Sequence, residues 1–160
     1  MCKSNPYMLF KVPKGKDKTP TFLNEAEIKQ IQDYNPVNEK TGHVKDLFIF
    51  QYFTGMAYID LMNFSSSKVS EMEGMKVIRS SRSKTDELFV ALLLPKAERI
   101  ANRYNYELPK ISNQKYNDYL KSLGAGAGIR KKLTTYVARH TFATMITFKT
   151  IFHKINRLAA

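Results

Sequence analysis

This sequence has one cysteine, no tryptophan and no long apolar run. The lone Cys2 excludes an internal disulfide framework and any cysteine-rich zinc site. The three histidines, His43, His140 and His153, have no metal-ligand spacing and no paired acids beside them, so no metal and no cofactor are expected. The longest purely apolar run is residues 88–94, far short of the roughly 20 residues that span a bilayer. The first ten residues lack the long apolar core of a signal peptide. No membrane is therefore expected as a partner, and a cytoplasmic protein is. Acids are also scarce at one end: from Thr134 onward there is none.

What is present is a basic chain of 160 residues, with 26 Lys+Arg against 14 Asp+Glu and a formal charge of +12. Hydrophobic residues make up 43%, enough to bury a core, which excludes a disordered basic tail. The charge is uneven. Residues 1–20 carry net +4, residues 21–67 net −3, residues 68–95 net +1 and residues 96–160 net +10. If the two basic ends meet in the fold they form a cationic face, and a polyanion such as nucleic acid is the leading partner by charge. The plain alternative is a solvated surface that keeps the chain soluble.

Residues 1–20, rich in Lys, Pro and Gly, read as a basic arm, and residues 21–160 as one domain. Asn24 with Glu27 three residues on forms a capping-box signature for a first helix ending near residues 34–36. Residues 35–42 read as a loop. A helix over 44–54 is apolar nearly all round (Leu47, Phe48, Ile49, Phe50), so it should be the buried central helix, stopped at Gly55. A short helix or turn follows over 58–63. Residues 76–80 and 88–92 then read as two strands of a hairpin. Pro95 opens another helix, to about residue 104. A further helix over 113–122 should be broken by the flexible Gly124-Ala-Gly-Ala-Gly128 run. Thr134 or Thr135 caps a last helix to about residue 149, with Ala138, Phe142, Met145 and Ile146 as its apolar stripe. The fold class is mainly α with a small antiparallel β-hairpin or sheet, an α+β arrangement.

Two constellations could carry chemistry. Arg79, Arg82 and Lys84 sit at or near the hairpin tip, where a lysine can reach a phosphate or protonate a leaving oxygen and its neighbours can grip a backbone by charge. The plain alternative, a solvated turn, is stronger on spacing alone. In the second, Tyr136, Arg139 and His140 share one side of a helix at i, i+3 and i+4. Lys131, Lys132, Thr134 and Thr135 stand at that helix's start, where backbone N–H groups also favour phosphate. An arginine beside the core stripe, with no acid nearby in sequence, suits an anionic ligand. An ion pair with a distant carboxylate such as Asp60 explains it equally well.

The run LTTYVARHTFAT over 133–144 resembles the second motif of the tyrosine recombinases, the phage integrase family, which usually reads LTxHxARHTFAT. The stretch DLFIFQYFTGMAYIDLMNF over 46–64 resembles the family's first motif. RSKT ahead of a second strand resembles its hairpin lysine, FVALLLP the stretch after it, and PKISNQKYNDYLKSL the segment ahead of the second motif. The ordered set covers about residues 20–148 and is most similar to integrases of bacterial mobile elements and conjugative transposons.

The resemblance implies double-stranded DNA as partner, a bacterial cytosolic setting, and cleavage through a 3′-phosphotyrosine with two arginines and a histidine on the phosphate. It makes Lys84 the general acid, Arg139 a phosphate clamp and Asp60 a structural acid. The family pattern fails at three places. Ala57 stands at the first arginine position, and Tyr136 at the histidine position. No tyrosine follows Tyr136, so no residue matches the nucleophile. Losing one preorganised donor costs about 10²–10³ in rate, whereas losing the nucleophile removes the covalent route itself. The chain therefore reads as a DNA-binding, recombinase-like domain that is inactive alone, with the nucleophile segment and an upstream clamp domain missing. A homo-oligomer or a full-length recombinase is the expected protein partner. The alternatives are a non-enzymatic regulatory remnant of an integrase, or a functionless frameshift fragment.

Overall fold

The computed structural model describes residues 20–81 and 87–158, with side chains to residue 150. The hairpin tip, with Arg82 and Lys84, and the basic arm up to residue 19 lie outside the described residues, as does the side chain of His153.

Six helices and one sheet are present among the described residues. The first helix, α1 (Glu25–Asp33), begins as its sequence demands: the Asn24 side chain accepts from the Glu27 N–H and the Glu27 carboxylate accepts from the Asn24 N–H, each at 2.8 Å. Next, α2 (Glu39–Thr54) starts five residues before the expected Val44. The Asn38 side chain accepts from Lys40 N–H at 2.8 Å, so the second half of the expected loop is the first turn of this helix. Leu47, Phe48, Ile49 and Phe50 are all buried, as the unbroken apolar run requires.

A short α3 (Tyr58–Met62) leads to a 3-10 turn and to the sheet. The sheet has three antiparallel strands, β1 (Val69–Met72), β2 (Met75–Ser81) and β3 (Leu88–Leu92), in the order β1-β2-β3. The expected hairpin is β2–β3, with Val77 opposite Leu92 and Arg79 opposite Val90. β1 was not foreseen. Its sequence, VSEM, has little strand character, and pairing to β2 through Val69–Ile78 and Met72–Met75 imposes its conformation. The β1–β2 connection is a two-residue turn with positive φ at both Glu73 (52°) and Gly74 (74°).

Pro95 opens α4 (Pro95–Arg103), and Ser112 caps α5 (Asn113–Gly126). The glycine run does not break α5 at Gly124. A Cβ at Gly124 would come within 3.3 Å of two Leu133 side-chain atoms, and one at Gly126 within 2.2 Å of the Tyr34 hydroxyl. Those two glycines are helical positions where another side chain packs onto the backbone, and only Gly128, at φ +72°, ends the segment. The final helix, α6 (Thr135–Leu158), is longer than the expected end at residue 149. Of its expected stripe Ala138 is buried and Phe142 and Met145 half-buried, but Ile146 is exposed.

α2 is the hub, packed against α4, α5 and α6. Asp46, buried on α2, accepts from Arg103 Nη1 at 2.7 Å and from the Tyr104 hydroxyl at 2.8 Å, which pins the end of α4. Burial and the Asp46 charge hold the Tyr104 phenol far above its ordinary pKa. No helix among the described residues is long and apolar enough to cross a membrane.

Candidate functional site

α2 ends at Gly55, whose φ of +66° places it in the left-handed region and whose N–H donates to Gln51 O at 2.8 Å. The turn that follows is fixed from below. Buried Gln51 donates through Nε2 to Met56 O at 2.9 Å, and its Oε1 accepts from the buried Tyr116 hydroxyl at 3.4 Å. The turn delivers Ala57 to the start of α3, where it serves as N-cap without a side-chain hydrogen bond. A methyl group there supplies neither a cation nor a donor to an anion.

Arg139 comes to the same place from α6. It lines a cleft of about 450 Å³ with Thr54 and Gly55 from the end of α2, residues 89–92 of β3, and Phe142 and Ile146 of α6. The Phe142 ring closes down on Gly55: a Cβ there would fall 2.4 Å from Phe142 Cδ1. Arg139 is half-buried, and no hydrogen bond or salt bridge holds its guanidinium among the described residues. A guanidinium in a largely apolar cleft presents a planar fork of donors to an oxyanion. β3, the second strand of the hairpin, forms one wall of this cleft.

Tyr136 and His140, one helical turn apart, are edge to face with ring centroids 3.9 Å apart. Tyr136 is 63% exposed at the beginning of α6.

The remaining expected residues divide. Lys131 is engaged internally: its Nζ donates to Glu27 Oε2 at 2.8 Å and to Phe22 O at 3.0 Å. Burial pushes the Glu27 carboxyl up, but the hydrogen bond and charge of Lys131 and the Asn24 N–H outweigh it and bring the pKa below its ordinary value. Lys132 is exposed. Thr134 caps α6 by accepting from Val137 N–H at 3.3 Å, and the Thr135 N–H donates to Asn117 Oδ1 at 3.3 Å. Two of the first amides of α6 are thus already occupied by this chain's own oxygens. Arg79 projects from β2, where its Nη2 lies 3.3 Å from Met72 Sδ.

One residue of the second motif has a role that periodicity did not reveal. Thr141 is fully buried, accepts from Leu23 N–H at 3.0 Å and donates to Val137 O at 2.7 Å. Among the described residues no group of three or more His, Cys, Asp or Glu is placed to hold a metal ion.

No family model and no curated protein matches the chain. Solved structures do. One is XerH site-specific recombinase bound to palindromic difH substrate in a post-cleavage complex (TM-score 0.68, 19% identity, 82% of this chain and 43% of that chain). Another is XerH bound to difH substrate in a pre-cleavage complex (TM-score 0.65, 18% identity, 82% and 44%). A third is XerA recombinase (TM-score 0.62, 20% identity, 86% and 52%). The chain spans about half the length of these proteins. At these identities the likeness establishes the fold, which is that of a tyrosine recombinase catalytic domain: mainly α with a small antiparallel sheet.

Proposed function

We propose that this chain is a DNA-binding domain on the recombinase catalytic fold, in which Arg139 grips a backbone phosphate and the chain alone does not complete strand cleavage. The observation that carries the reading is the placement of Arg139, with no partner of its own among the described residues, in the cleft between the Gly55 turn, β3 and α6. The XerH structures hold their difH substrate, and the matching fold supports double-stranded DNA as the ligand here.

In this reading the Arg139 fork binds two phosphate oxygens and stabilises negative charge on them. Lys84, by its resemblance to the hairpin lysine, is assigned the proton for a leaving oxygen. Tyr136 offers a hydroxyl donor where a histidine would otherwise stand, and its contact with His140 holds its ring. Arg79, Arg82 and Lys132 add charge that does not depend on sequence. Lys131 is reassigned to structure by its ion pair with Glu27. Ala57 removes one cation from the phosphate site, and with no tyrosine after Tyr136 the covalent step has no nucleophile within these 160 residues.

The motifs over 46–64 and 133–144 support an origin among bacterial mobile-element integrases, acting on cytosolic DNA. A second reading, a regulatory domain that occupies DNA or pairs with a second copy or a complete recombinase, is favoured by Ala57 and Tyr136 standing at two positions where the family uses cationic or imidazole donors.

The test is incubation with a nicked duplex followed by a denaturing gel, beside anisotropy of a labelled duplex. The expected result is salt-sensitive binding, weakened in Arg139→Ala, without a covalent adduct. An adduct that disappears in Tyr136→Phe would overturn the inactive reading, and binding unaffected by Arg139→Ala would overturn the assignment of the clamp.

A further inference from the structure

A second cavity lies toward the other end of α2. It measures about 620 Å³ and is walled by Lys40 and His43 of α2, the loop over 109–112, and α5. His43 precedes Gly55 by 12 residues, about 18 Å along a helix axis, so this cavity is separate from the Arg139 cleft.

Its charge is one-sided. Lys40, Lys110 and Lys115 line it from three stretches of chain. Lys40 and Lys115 enter no salt bridge among the described residues. The one acid on its wall, Asp118, is tied to Lys121 at 2.7 Å. The N-terminus of α5 opens beside it, with no acid in the first turn; Ser112 caps it by accepting the Lys115 N–H at 3.4 Å, which leaves the Asn113 and Gln114 amides without a cap acceptor among the described residues. The floor is apolar, made by Val44, Leu47 and Ile111, with Tyr119 beside them. A cavity of this size matches small-molecule sites, and cations above an apolar floor suit an ester whose phosphate meets the lysines while its organic part lies on the floor.

We propose that this cavity is a second phosphate-binding site, independent of Arg139, which takes a phosphate ester. The phosphate comes either from the strand of a bound duplex or from a free nucleotide. The sequence conceals the site because its lysines come from a helix, a loop and a second helix, none of them a motif.

The test titrates the isotopically labelled full chain with inorganic pyrophosphate and follows backbone amide shifts. The expected result is shifts at Asn113, Gln114 and Lys115 in both the wild type and Arg139→Ala. Loss of two lysine contacts should weaken binding roughly tenfold or more in Lys110→Ala/Lys115→Ala. Lys110 also donates to Met62 O, so Lys40→Ala/Lys115→Ala, which removes no such backbone contact, serves as a second variant and should show the same loss. Shifts centred on residues 135–139, no shifts at all, or undiminished binding in both double variants would overturn the proposal.

Two further arms separate the sources. A short duplex that displaces pyrophosphate, with a salt slope shallower in the double variants, identifies the DNA strand. ADP that binds more tightly than pyrophosphate, with no displacement by the duplex, identifies a nucleotide. Binding of neither the duplex nor ADP leaves an adventitious ion only and overturns the proposal.

Discussion

Thr141 Oγ1 accepts the backbone N–H of Leu23 across 118 residues of sequence, and the same hydroxyl donates to Val137 O at 2.7 Å. Both ends of this link are fully buried. It fastens the segment that enters the domain onto the helix carrying Arg139. Thr141→Val keeps the shape but leaves the buried Leu23 N–H without an acceptor. The expected loss is about 1–3 kcal/mol, read from urea unfolding. Thr141→Ser retains the hydroxyl and should cost less than Thr141→Val. A smaller loss in Thr141→Val than in Thr141→Ser would mean that the methyl group, not the hydrogen bond, holds the segment.

Gly55 and Phe142 are predicted to be coupled. Gly55→Ala strains a left-handed φ, about 1–2 kcal/mol, and also drives a Cβ to 2.4 Å from the Phe142 ring. Gly55→Ala/Phe142→Ala removes the collision and keeps the strain, so its destabilisation should be less than the sum of the two single variants by at least about 0.5 kcal/mol. Strict additivity in a double-mutant cycle would show that the ring moves aside without cost.

The parts of the fold that were legible in the sequence are those decided locally. The Asn24–Glu27 box announces α1 because both partners lie within one turn. The burial of α2 is legible because its apolar residues leave no polar face. β1 is not, since VSEM becomes a strand only by pairing with β2. The helical role of Gly124 and Gly126 is not legible either, because their neighbours, Leu133 and Tyr34, are brought there by the fold. The site divides in the same way. Arg139 stands out as a candidate by its motif and its lack of local acids, but the cleft it lines is assembled by the fold. The ion pair of Lys131 was not legible because its carboxylate partner, Glu27, is 104 residues away. The Lys40–Lys110–Lys115 cavity left no local pattern at all.

The Glu27–Lys131 pair carries a pH signature. The Glu27 pKa is lowered from 4.5 in the folded chain, so the pair's contribution is fully present above about pH 4.5 and is lost as pH falls through the lower folded value. Glu27→Gln keeps a capping-box side chain but removes the charge. The Lys131 side chain is 39% exposed, so solvent screening limits the expected destabilisation at neutral pH to about 1 kcal/mol. That difference from wild type should shrink toward zero in acid. A difference that stays constant from pH 7 to pH 3 would show that Glu27 acts only as a helix cap.

The β1–β2 turn should be improvable. Glu73 adopts φ +52° beside Gly74, a pair of left-handed positions that favours Asn-Gly over Glu-Gly. Its side chain is exposed, so no packing is lost on replacement. Glu73→Asn is expected to raise stability by about 0.5–1 kcal/mol, measured by thermal unfolding. No gain would indicate that the Glu73 carboxylate makes a compensating contribution in this strongly basic chain.

Arg139 can be tested by the form of its effect as well as by its size. A residue that neutralises one phosphate releases counterion, so Arg139→Ala should weaken duplex binding and lower the slope of log K against log salt by about 1. Arg139→Lys keeps the charge, so the slope should hold. A lysine is a point donor, however, and cannot present the two parallel N–H groups that an arginine sets against two phosphate oxygens. Affinity in Arg139→Lys should therefore fall while the salt slope stays near wild type. Loss of slope in both variants would mean that the side chain has left the cleft, and loss in neither would place the bound phosphate elsewhere. Only a shallower slope in Arg139→Ala, with weaker binding at an unchanged slope in Arg139→Lys, fits a bidentate grip by the guanidinium on a phosphate in the cleft beside Gly55.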